Sequence, residues 1–315
     1  MLNLMTYPDT IGKSRNAGKF FLQISFFFLL VAQVCFGQWQ PDVRLTNNYS
    51  GSLTSLSNAW CVASSGDTVH VVWQDERDLQ GEIYYKNSLD NGSNWSSDVR
   101  LTNSNVYSHN ASVAVSNIIL HVVWEYVQGF YSEIYYKRSP NAGTNWDSET
   151  RLTNNNAYSR SPSVAIFNSN LHVVWYDNRD GDNEIYYKRS LDNGANWSED
   201  KRLTNNTASS EYPSVAVSGS EVHVVWTDDR NGDNEIYYKR SLDNGSNWSD
   251  DIRLTNSNGS SYSPSIAVSN SGVFLVWIDN VAGSDEIFFK RSLDNGANWA
   301  DNIRIPRTFS SISES

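Results

Sequence analysis

The sequence predicts an all-β fold in which four-stranded antiparallel units repeat around a common axis. Three observations carry this prediction: a repeat of 51 residues, strand-like segments bounded by turn residues, and no apolar spacing of helical type. Tryptophans mark the repeat in two series with that interval. The series are Trp73, Trp124, Trp175, Trp226 and Trp277, and Trp95, Trp146, Trp197, Trp248 and Trp299. The chain therefore contains five copies of one unit.

The third unit, residues 161–206, shows the strand-like segments in order. They are Ser163–Ile166, Leu171–Trp175, Glu184–Lys188 and Lys201–Thr204. Asn, Asp, Gly and Ser lie between them, and these residues favour turns, so each unit is predicted to form four antiparallel strands. The second segment is almost continuously apolar, which indicates a strand buried on both faces. A single four-stranded sheet cannot provide that burial.

A radial arrangement of the units can provide this burial, because neighbouring units cover each other's faces and closure of the ring protects the sheet edges. We therefore predict a β-propeller of five repeats, which is either five-bladed or an incomplete six-bladed ring. An extended β-solenoid is the alternative, and four antiparallel strands per unit disfavour it. A further strand-like segment, Asp42–Thr46, precedes the first unit. It either closes the last blade or belongs to a sixth one.

The N-terminal segment has the pattern of a secretory signal. Basic residues precede the apolar run Phe20–Val34, and small residues follow it. The run is shorter than the roughly 20 residues that a membrane-spanning helix requires. We therefore expect a signal peptide at residues 1–37, a propeller at 38–307 and a short tail at 308–315. The mature protein is expected to be secreted, periplasmic or on the cell surface, without membrane attachment.

Charge and cysteine content narrow the range of partners. The formal net charge is −11, and an acidic surface repels phosphate backbones, so nucleic acid is not an expected partner. Cleavage of the signal would leave Cys61 as the only cysteine, which excludes an intramolecular disulfide. Stability must then come from packing, and we expect a monomer.

The octapeptide SLDNGSNW, Ser88–Trp95, has a closely similar counterpart in each later unit, and the second copy, SPNAGTNW, has Asn141 in place of the aspartate. In such a turn the aspartate accepts backbone amide hydrogen bonds, the glycine permits a positive φ, and the tryptophan folds back as an apolar plug. The matching positions are Asp90, Gly92, Trp95, Asp192, Gly194, Trp197, Asp243, Gly245, Trp248, Asp294, Gly296 and Trp299. The pattern resembles the Asp-box, or BNR repeat, of the sialidase superfamily. In that superfamily the boxes are structural and lie away from the active site.

The resemblance implies a candidate catalytic site on the opposite face. Sialidases clamp the substrate carboxylate with three arginines and use a tyrosine nucleophile paired with a glutamate, together with an aspartic acid. The repeats differ where the second and third strands connect. On this basis the candidate clamp is Arg77, Arg179 and Arg230, and the candidate catalytic residues are Tyr126, Glu125 and Asp75. Ion pairs between these arginines and nearby aspartates are the alternative interpretation.

Three functions follow from the sequence. The first is a non-catalytic propeller that binds a glycan or small polar ligand, with stacking tyrosines before the first strands. The second is an exo-acting glycoside hydrolase of sialidase type, and the third is a structural or assembly role. No cofactor is expected, with calcium at the acidic segment Asp177–Glu184 as an alternative. The histidine before each apolar strand core is interpreted as a packing residue.

Overall fold

The computed structural model describes residues 41–55, 60–269, 272–281 and 283–306 of the chain. It divides into two compact units, residues 1–45 and 46–315. All the strands lie in the second unit. The predicted signal peptide and C-terminal tail lie outside the described residues. Within the described part, no helix has the length and apolar character needed to cross a membrane.

Five antiparallel sheets follow one another along the chain, one for each sequence repeat. The first sheet contains β1 (Ser52–Leu53), β2 (Val62–Ser65), β3 (Thr68–Asp75), β4 (Glu82–Ser88) and β5 (Val99–Arg100), and the second contains β6 (Tyr107–Ser116), β7 (Ile119–Gln128), β8 (Tyr131–Ser139) and β9 (Thr150–Arg151). The third contains β10 (Ser159–Phe167), β11 (Asn170–Asp177), β12 (Glu184–Ser190) and β13 (Lys201–Arg202). The fourth contains β14 (Ser210–Ser218), β15 (Glu221–Asn231), β16 (Asp233–Ser241) and β17 (Ile252–Arg253), and the fifth contains β18 (Ser261–Ser269), β19 (Gly272–Val281), β20 (Ser284–Ser292) and β21 (Ile303–Arg304).

The sheets are the blades of the predicted propeller, and their strands pair in chain order. The first strand of a blade is longer than predicted, because β10 continues through a bulge between Arg160 and Ser163 to Ser159. Ser161 in that bulge has a φ of 51°. The sequence does not indicate this conformation, because the residue is not glycine. In the first blade, β1 and β2 both pair with β3 and together replace this single strand. Asp42–Thr46 forms no strand, and β21 is the fourth strand of the last sheet.

Antiparallel pairing gives each blade two distinct ends. The connections from second to third strand, and from fourth strand to the next blade, lie at one end, which we call the loop-rich face. The Asp-boxes connect third to fourth strands at the other end, which we call the Asp-box face. The inner strands β2, β6, β10, β14 and β18 together line an apolar cavity of about 510 Å³. This shared cavity marks the axis about which the blades are arranged.

The Asp-boxes of the second to fifth blades also contact the preceding blade. In the third blade, the Asp192 carboxylate accepts hydrogen bonds from the backbone and side-chain amides of Asn196 at 2.8 and 2.7 Å. The ring of Trp197 packs edge-on against Tyr136 of the second blade, with ring centroids 5.0 Å apart. Gly194 has a φ of 81°, and a Cβ there would overlap the Tyr136 hydroxyl. The box therefore joins adjacent blades as well as shaping its own turn.

Candidate functional site

A buried aspartate organises the loop-rich end of four of the five blades. In the third blade Asp177 is fully buried and accepts hydrogen bonds from Trp175 Nε1 at 3.1 Å and Ser159 Oγ at 2.7 Å. Arg179 donates to the same carboxylate through Nε and Nη2, at 2.9 and 2.6 Å. Burial alone would raise the pKa of Asp177, but the bonds from Arg179 outweigh it and hold the pKa below its usual value.

The three predicted clamp arginines each belong to such a group in their own blade. Arg179 uses its remaining nitrogen, Nη1, to bind Asp200 at 2.6 Å, and its guanidinium lies 4.4 Å from the centre of the Tyr186 ring. Arg77 and Arg230 repeat these contacts with Asp98 and Asp251. These contacts correspond to the ion-pair interpretation of the three arginines, because each arginine donates to two aspartates of its own blade.

Asp75, the candidate acid, occupies the same position in the first blade. It is fully buried and bound by Arg77, Trp73 and Ser52. Burial opposes its ionisation, but these bonds hold its pKa far below the usual range. A general acid needs a pKa near the working pH. The carboxyl group of Asp75 is instead ionised and structural in this environment.

The second blade departs from this pattern. Tyr126 and Gln128 stand where the first, third and fourth blades have the aspartate and the arginine, and the Tyr126 ring packs on Tyr135 at a centroid distance of 4.7 Å. The fifth blade keeps the aspartate, Asp279, but has Val281 in place of the arginine. In the third blade the equivalent Trp175 and Ser159 donate to Asp177. In the second blade Trp124 Nε1 and Ser108 Oγ are buried but have no hydrogen-bond partner among the described residues. A cavity of about 110 Å³ lies beside Tyr126. The repeat is broken in this blade at the cost of two unsatisfied polar groups.

Glu125 and Tyr126 are adjacent on β7 and therefore point to opposite faces of the sheet. Tyr126 packs against the core between the first and second blades. Glu125 points toward the third blade, where Ser161 N donates to its Oε2 at 3.3 Å. The structure thus does not bring together the predicted tyrosine–glutamate pair.

Glu125 instead lies in a mixed polar group at the loop-rich end of the inner strands. Its side chain is only 3% exposed, and Asn110 Nδ2 donates to Oε2 at 3.1 Å. His109 Nε2 and Arg160 Nε lie 3.3 and 3.6 Å from Oε1. Both nitrogens are buried and lack a hydrogen bond of good geometry within the described part of the chain. The remainder of each side chain is accessible, with exposures of 30% for His109 and 39% for Arg160.

Tyrosines surround this group. The Arg160 guanidinium lies 4.0 Å from the centre of the Tyr158 ring, a cation–π contact. Tyr176 and Tyr212 pack edge-to-face at 5.7 Å, and burial together with the Glu125 charge raises the pKa of Tyr176 to about 12. We call this set the Glu125 cluster. It consists of His109, Asn110, Glu125, Tyr158, Arg160, Ser161, Tyr176 and Tyr212.

The cluster is asymmetric, because its residues do not recur at the equivalent positions of the other blades. The other blades have Gln74, Tyr176, Thr227 and Ile278 at the position of Glu125. His109 of the second blade and Arg160 of the third blade occupy equivalent positions. The fourth and fifth blades have Glu211 and Tyr262 there. The sequence-based candidates included Glu125 but not His109 or Arg160. The available signal was the divergence of the repeats at the start of the first strands.

No group of three or more His, Cys, Asp or Glu side chains among the described residues is arranged to hold a metal ion. In the acidic segment considered for calcium, Asp177 binds Arg179 and Asp180 binds Arg202 at 3.2 Å. These carboxylates are therefore engaged by arginines.

The comparisons with known proteins agree with the architecture. Residues 32–276 match the family of BNR repeat-like domains. No curated protein sequence matches the chain. Among solved structures, the NanB sialidase from Streptococcus pneumoniae, in complex with 2-[(3-chlorobenzyl)ammonio]ethanesulfonate, aligns with a TM-score of 0.60 at 10% identity. That alignment covers 87% of this chain and 65% of the sialidase.

Two further structures are similar. Trypanosoma rangeli sialidase in complex with 2,3-difluoro-KDN aligns with a TM-score of 0.53 at 14% identity, over 73% of this chain and 45% of that one. The GH93 α-L-arabinofuranosidase of Fusarium graminearum with arabinobiose aligns with a TM-score of 0.51 at 17% identity, over 74% and 77% of the two chains. The chain thus spans less than two thirds of the length of both sialidases. At these identities the likeness establishes the fold.

Proposed function

Because this chain belongs to the family of BNR repeat-like domains, we propose that it is an exported, sialidase-like propeller that binds a glycan at the Glu125 cluster. The observation that carries the proposal is the pair His109 and Arg160, whose side chains are 30% and 39% exposed and lie 3.3 and 3.6 Å from the buried Glu125 carboxylate. The exposed parts of these side chains can contact a ligand that supplies both donors and acceptors. Sugar hydroxyl groups do both.

The surrounding side chains fit the same ligand class. Tyr158 and Tyr212 offer aromatic surface against which the apolar face of a sugar ring can pack. Arg160 presents a planar set of donors, and the buried Glu125 carboxylate lies beside it and fixes its position. A site of this kind orients a polar ligand through few directional groups on a rigid scaffold.

We favour binding without hydrolysis over exo-glycosidase activity. The three arginines of the candidate clamp are engaged in separate blades, and Glu125 and Tyr126 point to opposite faces of β7. Glycoside hydrolysis requires two catalytic groups that flank one bond. Among the described residues, the candidates named from the sequence do not converge in this way.

Two assays on the purified protein test the proposal. In the first, an oligosaccharide array that includes sialyllactose and arabinobiose is expected to show saturable binding, and its complete absence would overturn the proposal. In the second, aryl sialosides and aryl arabinofuranosides are expected to remain uncleaved. Release that persists in a Tyr126→Phe variant but is lost in Glu125→Gln would instead assign catalysis to the same cluster.

A further inference from the structure

The hairpin between the second and third strands of the second blade ends in aromatic residues. Strands β7 and β8 pair as far as Gln128 and Tyr131, which lie directly opposite each other. Phe130 in the turn is 83% exposed, and Tyr131 is 49% exposed. The residues at these two positions in the other units are Leu79 and Gln80, Gly181 and Asp182, Gly232 and Asp233, and Gly283 and Ser284. The aromatic tip is therefore specific to this blade.

The cavity of about 110 Å³ next to this hairpin has aromatic walls. Tyr126 and Tyr135 line it, and their ring centroids are 4.7 Å apart. In the third blade the Arg179 guanidinium lies on the ring of Tyr186, the equivalent of Tyr135. Gln128 replaces that arginine in the second blade and is exposed. The cavity therefore lies where this blade lacks the long side chain of the repeat.

The polar groups around this cavity are either neutral or paired with each other. Glu133 and Arg151 line it, and Arg151 Nη2 donates to Glu133 Oε1 at 2.6 Å. Gln128 and Asn156 supply exposed side-chain amides, and Tyr131 supplies a hydroxyl group. The side chains of these three residues make no hydrogen bond within the described part of the chain. Apart from the ion pair, the polar groups that line the cavity thus carry no formal charge.

The hairpin also lies beside the Glu125 cluster on the loop-rich face. Ser132, which follows Tyr131, forms a β-bridge with Tyr158 of the cluster. The Ser132 hydroxyl donates to the Ser159 carbonyl at 3.0 Å. Consecutive Cα atoms are about 3.8 Å apart and paired chains about 4.8 Å apart, so the Cα atoms of Tyr131 and Tyr158 lie within about 9 Å of each other. A ligand longer than one sugar ring can therefore reach from the cluster to the cavity.

We propose that this cavity is a second subsite, which takes a neutral sugar unit of an oligosaccharide whose other end is held at the Glu125 cluster. This inference rests on the proposed function. Amide and phenol groups exchange hydrogen bonds with sugar hydroxyl groups, and Phe130 and Tyr131 offer aromatic faces to a sugar ring. A carboxylate or an ammonium group would find no unpaired countercharge in the cavity. The ligand class is therefore a disaccharide or a longer chain that carries a neutral unit.

The test compares chain lengths and removes one wall of the cavity. Calorimetry, with NMR titration for weak ligands, measures the tightest-binding member of the oligosaccharide array and each of its component monosaccharides. The wild-type protein is expected to bind the oligosaccharide at least tenfold more tightly than any component. Tyr131→Ala is expected to weaken oligosaccharide binding at least tenfold without changing the affinity for the monosaccharide that binds at the Glu125 cluster. Tyr49→Ala, which removes an exposed tyrosine outside the cavity, is the matched control and is expected to bind as wild type.

A second variant fills the cavity instead. Tyr126→Asp with Gln128→Arg is expected to place an arginine on Tyr135, as Arg179 lies on Tyr186 in the third blade. Because the first, third and fourth blades have these residues, the variant is expected to remain folded and yet to lose the same tenfold in oligosaccharide affinity. Thermal unfolding of each variant verifies that it is folded.

The failure of this inference is distinguishable from that of the proposed function. Equal affinities of the wild-type protein for the oligosaccharide and a component monosaccharide would overturn the second subsite alone. Wild-type affinity in either cavity variant, while Arg160→Ala loses binding, would do the same. Weaker binding by the cavity variants with wild-type affinity in Arg160→Ala would overturn both, because the glycan would then be held away from the Glu125 cluster. The absence of binding to any array member would also overturn both.

Discussion

The Tyr187 hydroxyl lies 2.7 Å from His172 Nδ1 in the third blade and donates to the Asn244 carbonyl of the next Asp-box at 3.4 Å. The same histidine–tyrosine contact recurs in the first, second and fourth blades. The fifth blade has the stacked pair Phe274 and Phe289 instead. The repeated histidine is therefore a packing residue that supports the contact between blades, as its replacement by phenylalanine suggested.

This pair predicts that stability depends on pH. Burial lowers the pKa of His172 to about 3, whereas the unfolded value is about 6.5. The unfolded chain therefore binds more protons between these values, and stability falls as the pH decreases below about 6.5. Between pH 6.5 and 5 the loss of unfolding free energy from one such histidine is about 1–2 kcal/mol. Urea unfolding at the two pH values measures it.

The matched variant is His172→Phe with Tyr187→Phe, which copies the pair of the fifth blade. It is expected to unfold with a smaller pH dependence than wild type, because one titrating group has been removed. An unchanged difference in unfolding free energy between pH 6.5 and 5 would contradict the assignment to His172.

Replacing Tyr126 and Gln128 in the second blade is expected to stabilise the protein. Tyr126→Asp with Gln128→Arg introduces the residues of the first, third and fourth blades and gives Trp124 Nε1 and Ser108 Oγ an acceptor. We expect the double variant to gain about 1–2 kcal/mol, since satisfying buried donors removes a desolvation penalty. Tyr126→Asp alone is the control and should be destabilising, because its buried carboxylate lacks the arginine. Thermal unfolding that ranks the double variant below wild type would contradict this interpretation.

Much of the fold could be predicted from the sequence because it depends on local patterns. The Trp73 and Trp95 series gives five repeats, each of which forms one sheet, and turn residues separate their strands. The Glu125 cluster could not be predicted, because Glu125 meets Arg160 only through the packing of two blades and a bulge with positive φ at Ser161. The candidate clamp could have been judged from the repeat itself. Arginines at equivalent positions of the repeats lie in equivalent surroundings, so each stays in its own blade.

Arg179 is expected to be important for stability and not for ligand binding. Removing its side chain leaves Asp177 buried without its countercharge, so Arg179→Ala should cost about 3 kcal/mol of unfolding free energy. The variant that remains folded at low temperature should bind an array oligosaccharide with wild-type affinity. A loss of affinity without a loss of stability would restore Arg179 to the ligand site.

A substitution at Gly194 tests how the Asp-box joins two blades. Gly194→Ala introduces both strain at a positive φ and overlap with the Tyr136 hydroxyl, so it should cost more than the roughly 1 kcal/mol expected from strain alone. Gly181→Ala is the control, because Gly181 has a φ of 112° and nothing within 4 Å of the added Cβ. Tyr136→Phe is expected to recover part of the Gly194→Ala loss in a double-mutant cycle. Purely additive effects in urea unfolding would contradict the contact.

The most direct test of the proposed function compares the half-buried Arg160 with the exposed Arg291. Arg160→Ala removes the donor beside Glu125, whereas Arg291→Ala removes an exposed arginine near the Asp-box of the fifth blade. Titration calorimetry with an oligosaccharide that binds the wild-type protein on the array should show at least tenfold weaker binding for Arg160→Ala, consistent with the loss of a charge-assisted hydrogen bond. Arg291→Ala should bind as wild type. Equal affinities of the two variants and the wild type would show that the glycan does not bind at the Glu125 cluster.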